Sequence, residues 1–159
     1  MKDNKVTNVV IAGLGGQGVL KASDILSRAI FDQGLDLKKS EIHGMSQRGG
    51  SVTSDVRFGK KVHSPMVPVG EADFVVVLAP EEVENARRYL RPTGVLITPD
   101  AVDGEALSNK RSINVALLGI LSRHLEIPES VWRSAIRACL PEKLLEVNEN
   151  AFTLGRGTS

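Results

Sequence analysis

The stretch Val6-Thr7-Asn8-Val9-Val10-Ile11-Ala12-Gly13-Leu14-Gly15-Gly16-Gln17-Gly18 decides the fold class. Val6 to Ala12 is a short apolar run rich in β-branched side chains, which suits a strand buried inside a sheet. It breaks into glycines, and behind them Val19, Ala22, Leu26, Ala29 and Ile30 recur at helical spacing as far as Gln33. A buried strand, a Gly-rich turn and an amphipathic helix open an α/β sheet, and Gly34 stands where the helix should stop.

Further along, Leu37 to Ile42 is short and polar enough for an edge strand. His43 to Gly50, with glycines at 44, 49 and 50, cannot be regular structure. Val52, Ser54, Val56 and Phe58 alternate with Thr53, Asp55 and Arg57, the pattern of a half-exposed strand. No helix separates this pair of strands, and so short a link cannot make the crossover that parallel strands need. The two should therefore be antiparallel and the sheet mixed. Gly59-Lys60-Lys61 turns the chain, and His63 to Gly70, with Pro65 and Pro68, reads as extended loop.

Phe74 to Ala79 is a second buried strand. Pro80 suits a first helical position with Glu81 and Glu82 behind it, so a helix is expected to about Leu90. Val95 to Thr98 is a third buried strand, and Asp100 to Asn109 a polar loop. Helices follow over about Asn114–Leu125, Pro128–Leu140 and Glu142–Leu154, the last closed by Gly155. The expectation is a three-layer α/β/α sandwich with Val6–Ala12, Phe74–Ala79 and Val95–Thr98 at the centre of its sheet.

Composition narrows the function. The length of 159 residues suits one domain over 1–159 with a real core. A formal net charge of +1 gives no electrostatic case for nucleic acid or an anionic membrane, and one Trp, one Tyr and four Phe offer few stacking platforms. The single cysteine, Cys139, makes neither an internal disulfide nor an iron–sulfur ligand set. The first residues lack the apolar stretch of a signal peptide, and no segment approaches a membrane span, so a cytoplasmic setting is expected.

Gly13-x-Gly15-x-x-Gly18 matches the dinucleotide-binding fingerprint. Glycines let backbone amides approach an anion at a helix N-terminus, where the dipole is positive. Glu41, 23 residues past Gly18, is placed for ribose hydroxyls. Gly16 and Gln17 belong to the same candidate turn, although the amide of Gln17 is larger than such sites usually hold. The alternative is that the glycines only allow a tight turn and close packing. The motif by itself leaves both open.

His43-Gly44-Met45-Ser46-Gln47-Arg48-Gly49-Gly50-Ser51 concentrates side-chain donors around glycines that expose backbone N–H groups. Such a loop can form an anion-binding concavity, and Arg48 can grip a carboxylate or phosphate with two parallel bonds. A tightly folded connection in which Arg48 pairs with a nearby acid fits the same residues. The candidate cofactor-binding or interface residues are thus Gly13, Gly15, Gly16, Gln17, Gly18, His43, Gly44, Gln47, Arg48, Gly49 and Gly50. None of His43, His63 and His124 has a second His or Cys at ligand spacing, so no metal residue is expected. Cys139 reads as a buried structural thiol, and Glu81-Glu82 with Arg87-Arg88 as a solvated helix face. No catalytic residue is assigned.

Ile11 to Val19 and Ser40 to Val52, taken together, resemble the γ-type domain of the 2-oxoacid:ferredoxin oxidoreductases. The loop from His43 to Gly50, with Val56-Arg57-Phe58-Gly59 and His63-Ser64-Pro65, is most similar to the β subunit of the indolepyruvate ferredoxin oxidoreductases. The resemblance extends over Gly70 to Asp73, Leu90 to Val95 and Asn148 to Arg156, nearly the whole chain. One segment departs: between Val95–Thr98 and Ile113–Ala116 the family carries a longer stretch than the short loop here.

The resemblance implies a subunit of an enzyme that converts a 2-oxoacid and coenzyme A to acyl-CoA, carbon dioxide and reduced ferredoxin, with indolepyruvate or another aryl 2-oxoacid as substrate. Thiamine diphosphate with Mg, and 4Fe–4S clusters, would sit on a partner subunit, with ferredoxin an indirect partner and a homodimer left open. This chain alone would bind no cofactor and be inactive. Two rival readings fit the same sequence, a free-standing NAD(P)-binding Rossmann-like protein and a non-enzymatic scaffold or sensor.

Overall fold

The computed structural model describes residues 5–44 and 50–158. Its sheet has five strands, β1 (Val6–Leu14), β2 (Asp36–His43), β3 (Ser51–Gly59), β4 (Ala72–Val77) and β5 (Leu90–Ile97), in the order β2-β3-β1-β4-β5. Helix α1 (Val19–Asp32) carries the chain from β1 to β2, leaving between them a gap one strand wide. β3 turns back into that gap and runs antiparallel to both, pairing Ile42 with Thr53 and Leu14 with Ser51. β4 and β5 then add in parallel on the other side of β1. The sheet is mixed, as the missing crossover requires.

The helices divide unequally between the faces. Val9, Ile11, Val52, Val56, Phe58 and Val76 face α1, α3 (Ile113–Ser122), α4 (Glu129–Cys139) and α5 (Leu145–Arg156) in one core. Val10, Ala12, Val75 and Val77 face the thin third layer, which consists of α2 (Val83–Arg87) and a strap over residues 62–70. Strand alternation puts neighbours such as Val9 and Val10 into different cores, so Val9 to Ala12 are apolar and buried whichever face they point to.

Five expectations need correction. Val95–Thr98 is not central: its first three residues belong to β5, which starts at Leu90, ends at Ile97 and forms the edge. β3 took the place beside β1, so β4 and β5 follow on the other side of β1 and β5 is left outermost. The helix after Pro80 does not reach Leu90. A 3₁₀ turn over Pro80–Glu82 leads into α2, which ends at Arg87, because the Tyr89 carbonyl already accepts from the Ala72 N–H at 2.8 Å.

The third correction concerns β3, which is covered on both faces. Ser54 meets Ser23 of α1 at 2.7 Å on one side and Asp55 lies under the strap on the other. Finally, α5 runs through Gly155 to Arg156, so that glycine is no helix stop. The stretch 100–112 is also more than polar loop, since Val102 and Leu107 are buried in the core.

Three side chains of the sheet hold the strap. Asp36 accepts from the Val62 N–H at 2.8 Å, Asp55 accepts from the Val67 N–H at 2.9 Å, and Arg57 donates to the Ser64 carbonyl at 2.8 Å. Asp55 is buried, its second carboxylate oxygen has no partner among the described residues, and desolvation raises its pKa despite the Val67 bond. A raised folded-state pKa means that the fold prefers the protonated acid. That contribution is complete below the unfolded value of about 4 and is lost as pH rises through the folded value. Asp55→Asn, which cannot ionise, should therefore gain stability relative to wild type as pH is raised from 4 to 7. Urea titrations across that window check this, and a difference that does not change with pH would refute it.

Candidate functional site

The carboxyl ends of β1, β2 and β4 and the amino end of β3 lie along one edge of the sheet. This is the edge of an open α/β sheet where ligands are held, beside the point at which connections diverge. It brings together the Gly-rich turn after β1, both ends of the 44–50 loop, and the Pro80–Glu82 turn. The Gly15 N–H donates to the Gly50 carbonyl at 2.9 Å, and the Gly44 N–H donates to the Ser51 carbonyl at 2.6 Å. The Ser51 hydroxyl donates to Glu82 Oε1 at 2.8 Å. The glycine turn and the described ends of the second glycine motif, Gly44 and Gly50-Ser51, meet at this edge.

Within the turn the residues do different work. Gly13 lies in β1, where an added Cβ would stand 2.9 Å from Gln17 Oε1 and from Val19 Cγ2. Gln17 folds back: its side-chain oxygen accepts from the Leu14 N–H at 2.7 Å and its own N–H donates to the Leu14 carbonyl at 3.1 Å. Gly16 and Gly18 have φ of 88° and 86°, the left-handed region that glycine adopts without penalty. Gly18 is the N-cap of α1, and its carbonyl accepts from Asn114 Nδ2 at 3.1 Å.

This geometry argues against the dinucleotide reading. In that arrangement the second strand lies beside the first and brings its acid to the turn. Here β3 lies between β1 and β2, so Glu41 stands two strand spacings away, roughly 10 Å. Its carboxylate instead approaches Lys39 at 3.8 Å. The N–H groups of Leu14 and Gly15 are bonded to protein and cannot face a pyrophosphate.

The Gly16–Gly18 ridge separates two hollows. One, of about 260 Å³, is lined by Leu14, Gly15, Gly16, Val19, Lys21 and His43. The other, of about 300 Å³, has Gln17, Arg111 and Asn114 on one wall and Leu140, Leu144 and Val147 on the other. His43 thus joins the glycine turn, as does Gly44 through Ser51. Met45, Ser46, Gln47, Arg48 and Gly49 lie outside the described residues. Sequence reading placed Ser51 at the end of the candidate loop without a role, and missed Lys21, Glu82, Arg111 and Asn114. Each is polar and unremarkable in its own segment, and only the sheet edge collects them.

A larger hollow of about 740 Å³ lies at the opposite, amino end of the sheet. Asp73 and Arg91, 3.1 Å apart, sit in its wall, and Asp73 also accepts from the Asn8 N–H at 2.8 Å. These contacts tie β4 and β5 to β1, and none of the motif residues reaches them. Cys139 is half-buried, and burial, followed by the nearby Asp24, raises its pKa, the opposite of an activated thiolate. Among the described residues no three His, Cys, Asp or Glu side chains converge as metal ligands, and no helix is long and apolar enough to cross a membrane.

Comparison with known proteins identifies the family. The model of the family described as pyruvate ferredoxin/flavodoxin oxidoreductase matches residues 8–158. The chain is 44% identical to the indolepyruvate oxidoreductase subunit IorB of Methanothermobacter thermautotrophicus, over 96% of this chain and 97% of that one. It is 34% identical to the same subunit of Thermococcus kodakarensis, over 95% of each chain. That alignment extends over 191 positions, more than the 159 residues here, so the relative carries residues this chain lacks.

Among solved structures, the γ subunit of a keto/oxoacid ferredoxin oxidoreductase from Geobacter sulfurreducens superposes with a TM-score of 0.78 at 19% identity, over 95% of this chain and 94% of that one. A 2-oxoglutarate:ferredoxin oxidoreductase from Magnetococcus marinus superposes with a TM-score of 0.80 at 18% identity, over 96% of this chain but 31% of that one. At these identities the structures speak for the fold alone, and the family rests on the sequence matches. The chain belongs to the pyruvate ferredoxin/flavodoxin oxidoreductase family, as a member of the subunit type found in its indolepyruvate oxidoreductase relatives.

Proposed function

We propose that this chain is the small subunit of a heteromeric 2-oxoacid:ferredoxin oxidoreductase acting on indolepyruvate or another aryl 2-oxoacid. The observation that carries the reading is its identity, over nearly the full length of both chains, to indolepyruvate oxidoreductase subunits. The reaction cleaves the bond between the carboxylate and the carbonyl carbon of the 2-oxoacid. It releases carbon dioxide, joins the acyl group to the coenzyme A sulfur, and passes two electrons to ferredoxin.

Clusters of the 4Fe–4S type need four cysteine thiolates, and this chain has one cysteine. In this reading the partner subunit holds the clusters and thiamine diphosphate with Mg. This chain contributes the sheet edge that carries Gly13 to Gly18, His43, Gly44 and Gly50, with Gln47, Arg48 and Gly49 as further candidates from the same glycine-rich stretch of sequence. Arg48 offers two parallel N–H donors to an anionic group, such as a phosphate of coenzyme A or a carboxylate of the partner.

The test is coexpression with a thiamine-dependent partner chain and assay of indolepyruvate-dependent, coenzyme A-dependent reduction of ferredoxin. Arg48→Ala should lower that rate by about tenfold or more, since one charge-assisted contact contributes roughly 1.5–3 kcal/mol. The melting temperature of the isolated chain should hardly move, because an exposed ion pair contributes about 0–1 kcal/mol. A large fall in melting temperature with normal turnover would make Arg48 a folding residue, and the absence of any complex or turnover would defeat the subunit reading.

A further inference from the structure

Two carboxyl-edge elements that are distant in sequence meet at a single side-chain contact. Ser51 begins β3, and the Pro80–Glu82 turn follows β4, on the far side of β1. The Ser51 hydroxyl donates to Glu82 Oε1 at 2.8 Å, with both residues half-buried. Ser51 also accepts from the Gly44 N–H through its carbonyl, at 2.6 Å, and its neighbour Gly50 accepts from the Gly15 N–H at 2.9 Å. Three connections, to the end of β2, to the glycine turn and to the start of α2, therefore converge on the dipeptide Gly50-Ser51.

Among the described residues Glu82 makes no ion pair, although Arg87 and Arg88 lie one turn and more further along and Arg87 approaches Glu84 at 3.6 Å. Its carboxylate is engaged by the serine instead. The fold does not need this bond, because β3 is already held on both sides by continuous ladders to β1 and β2. What the bond adds is a tie from the start of β3 to the Pro80–Glu82 turn, next to the Gly15–Gly50 contact and at the edge where the hollow lined by Gly16 and His43 opens. We infer that Glu82 is a positioning residue, which acts through Ser51 to hold the glycine turn and His43 in the register that the assembled enzyme uses.

This inference rests on the subunit reading, and wild type in the same experiment separates the two. Glu82→Ala, Glu82→Gln, Ser51→Ala and the Glu82→Ala/Ser51→Ala double variant are each assembled with the thiamine-dependent partner. Their kcat and KM for indolepyruvate are measured with ferredoxin as acceptor. Glu82→Ala and Ser51→Ala should each lower kcat by about tenfold, below the ~100-fold that a full 1 Å misplacement can bring, and leave KM near wild type. Glu82→Gln, whose amide oxygen still accepts the serine proton, should recover most of the loss, and the double variant should be no worse than either single one. Melting temperatures of the isolated chains should stay within about 2 °C of wild type.

An active wild-type complex in which Glu82→Ala turns over normally would overturn the positioning role alone. So would losses that multiply in the double variant, or losses that follow a fall in melting temperature and are not recovered by Glu82→Gln. An inactive wild-type complex would remove the subunit reading, and this inference with it.

Discussion

Gly155→Ala should lower stability by about 3 kcal/mol, although alanine favours an exposed helix interior by about 1 kcal/mol over glycine. The reason is how closely α5 crosses α3. A Cβ on Gly155 would stand 1.8 Å from the Ala116 carbonyl oxygen, and one on Gly119 would stand 2.4 Å from the Phe152 carbonyl oxygen. Both obstacles are backbone, so no side chain can swing aside and the helices themselves must separate. Separation would pull Phe152 and Ala151 from the core and loosen the bond from Arg156 to the Ser122 hydroxyl, 2.8 Å long. At this chain length each kcal/mol moves the melting temperature by about 2–4 °C, so a fall of roughly 6–12 °C is expected by circular dichroism. An unchanged or higher melting temperature would show that the helices lie further apart than described.

Gly18→Ala should cost about 2–3 kcal/mol, and its comparison with Gly16→Ala tests what the glycine turn is for. Both positions have left-handed φ, which costs an alanine roughly 1–2 kcal/mol. Nothing lies within 4 Å of a Cβ added at Gly16, whereas one at Gly18 would stand 2.5 Å from Asn114 Nδ2. The Asn114 amide would have to leave, giving up its bond to the Gly18 carbonyl, worth about 0.5–1.5 kcal/mol. Gly18→Ala should therefore melt several degrees below Gly16→Ala. If the turn serves close packing alone, turnover of the assembled enzyme should follow stability in both variants. A Gly16→Ala variant that melts near wild type yet loses turnover would mean that a ligand or partner approaches the open side of Gly16. Equal melting temperatures would mean that Asn114 does not meet Gly18 as described.

The strand–turn–helix opening was legible from Val6 to Gln33 because its signal is local. Apolar β-branched residues, then glycines, then a 3.6-residue period each report on neighbours a few positions away. The antiparallel pairing of β2 with β3 followed equally from chain length, since no crossover fits between Ile42 and Val52. The two glycine motifs could be singled out as a candidate site for the same reason: their unusual composition lies within a few consecutive residues.

By itself, then, the sequence determined the layer class, the hairpin, the family resemblance and the residues worth watching. Only the tertiary structure decided which strands are central. Apolarity records how far a residue is buried and not which neighbour buries it, so Val95 and Leu96 look alike whether a strand or a helix covers them. It likewise decided that α2 stops at Arg87, where pairing with Ala72 captures Tyr89, and that Gly155 marks a helix crossing and not a helix end. The contact between Ser51 and Glu82 is of the same kind. Thirty-one residues separate the two in the chain, and no local pattern links them. They meet because β3 and β4 flank β1 from opposite sides, and β3 begins where β4 ends, at the same edge.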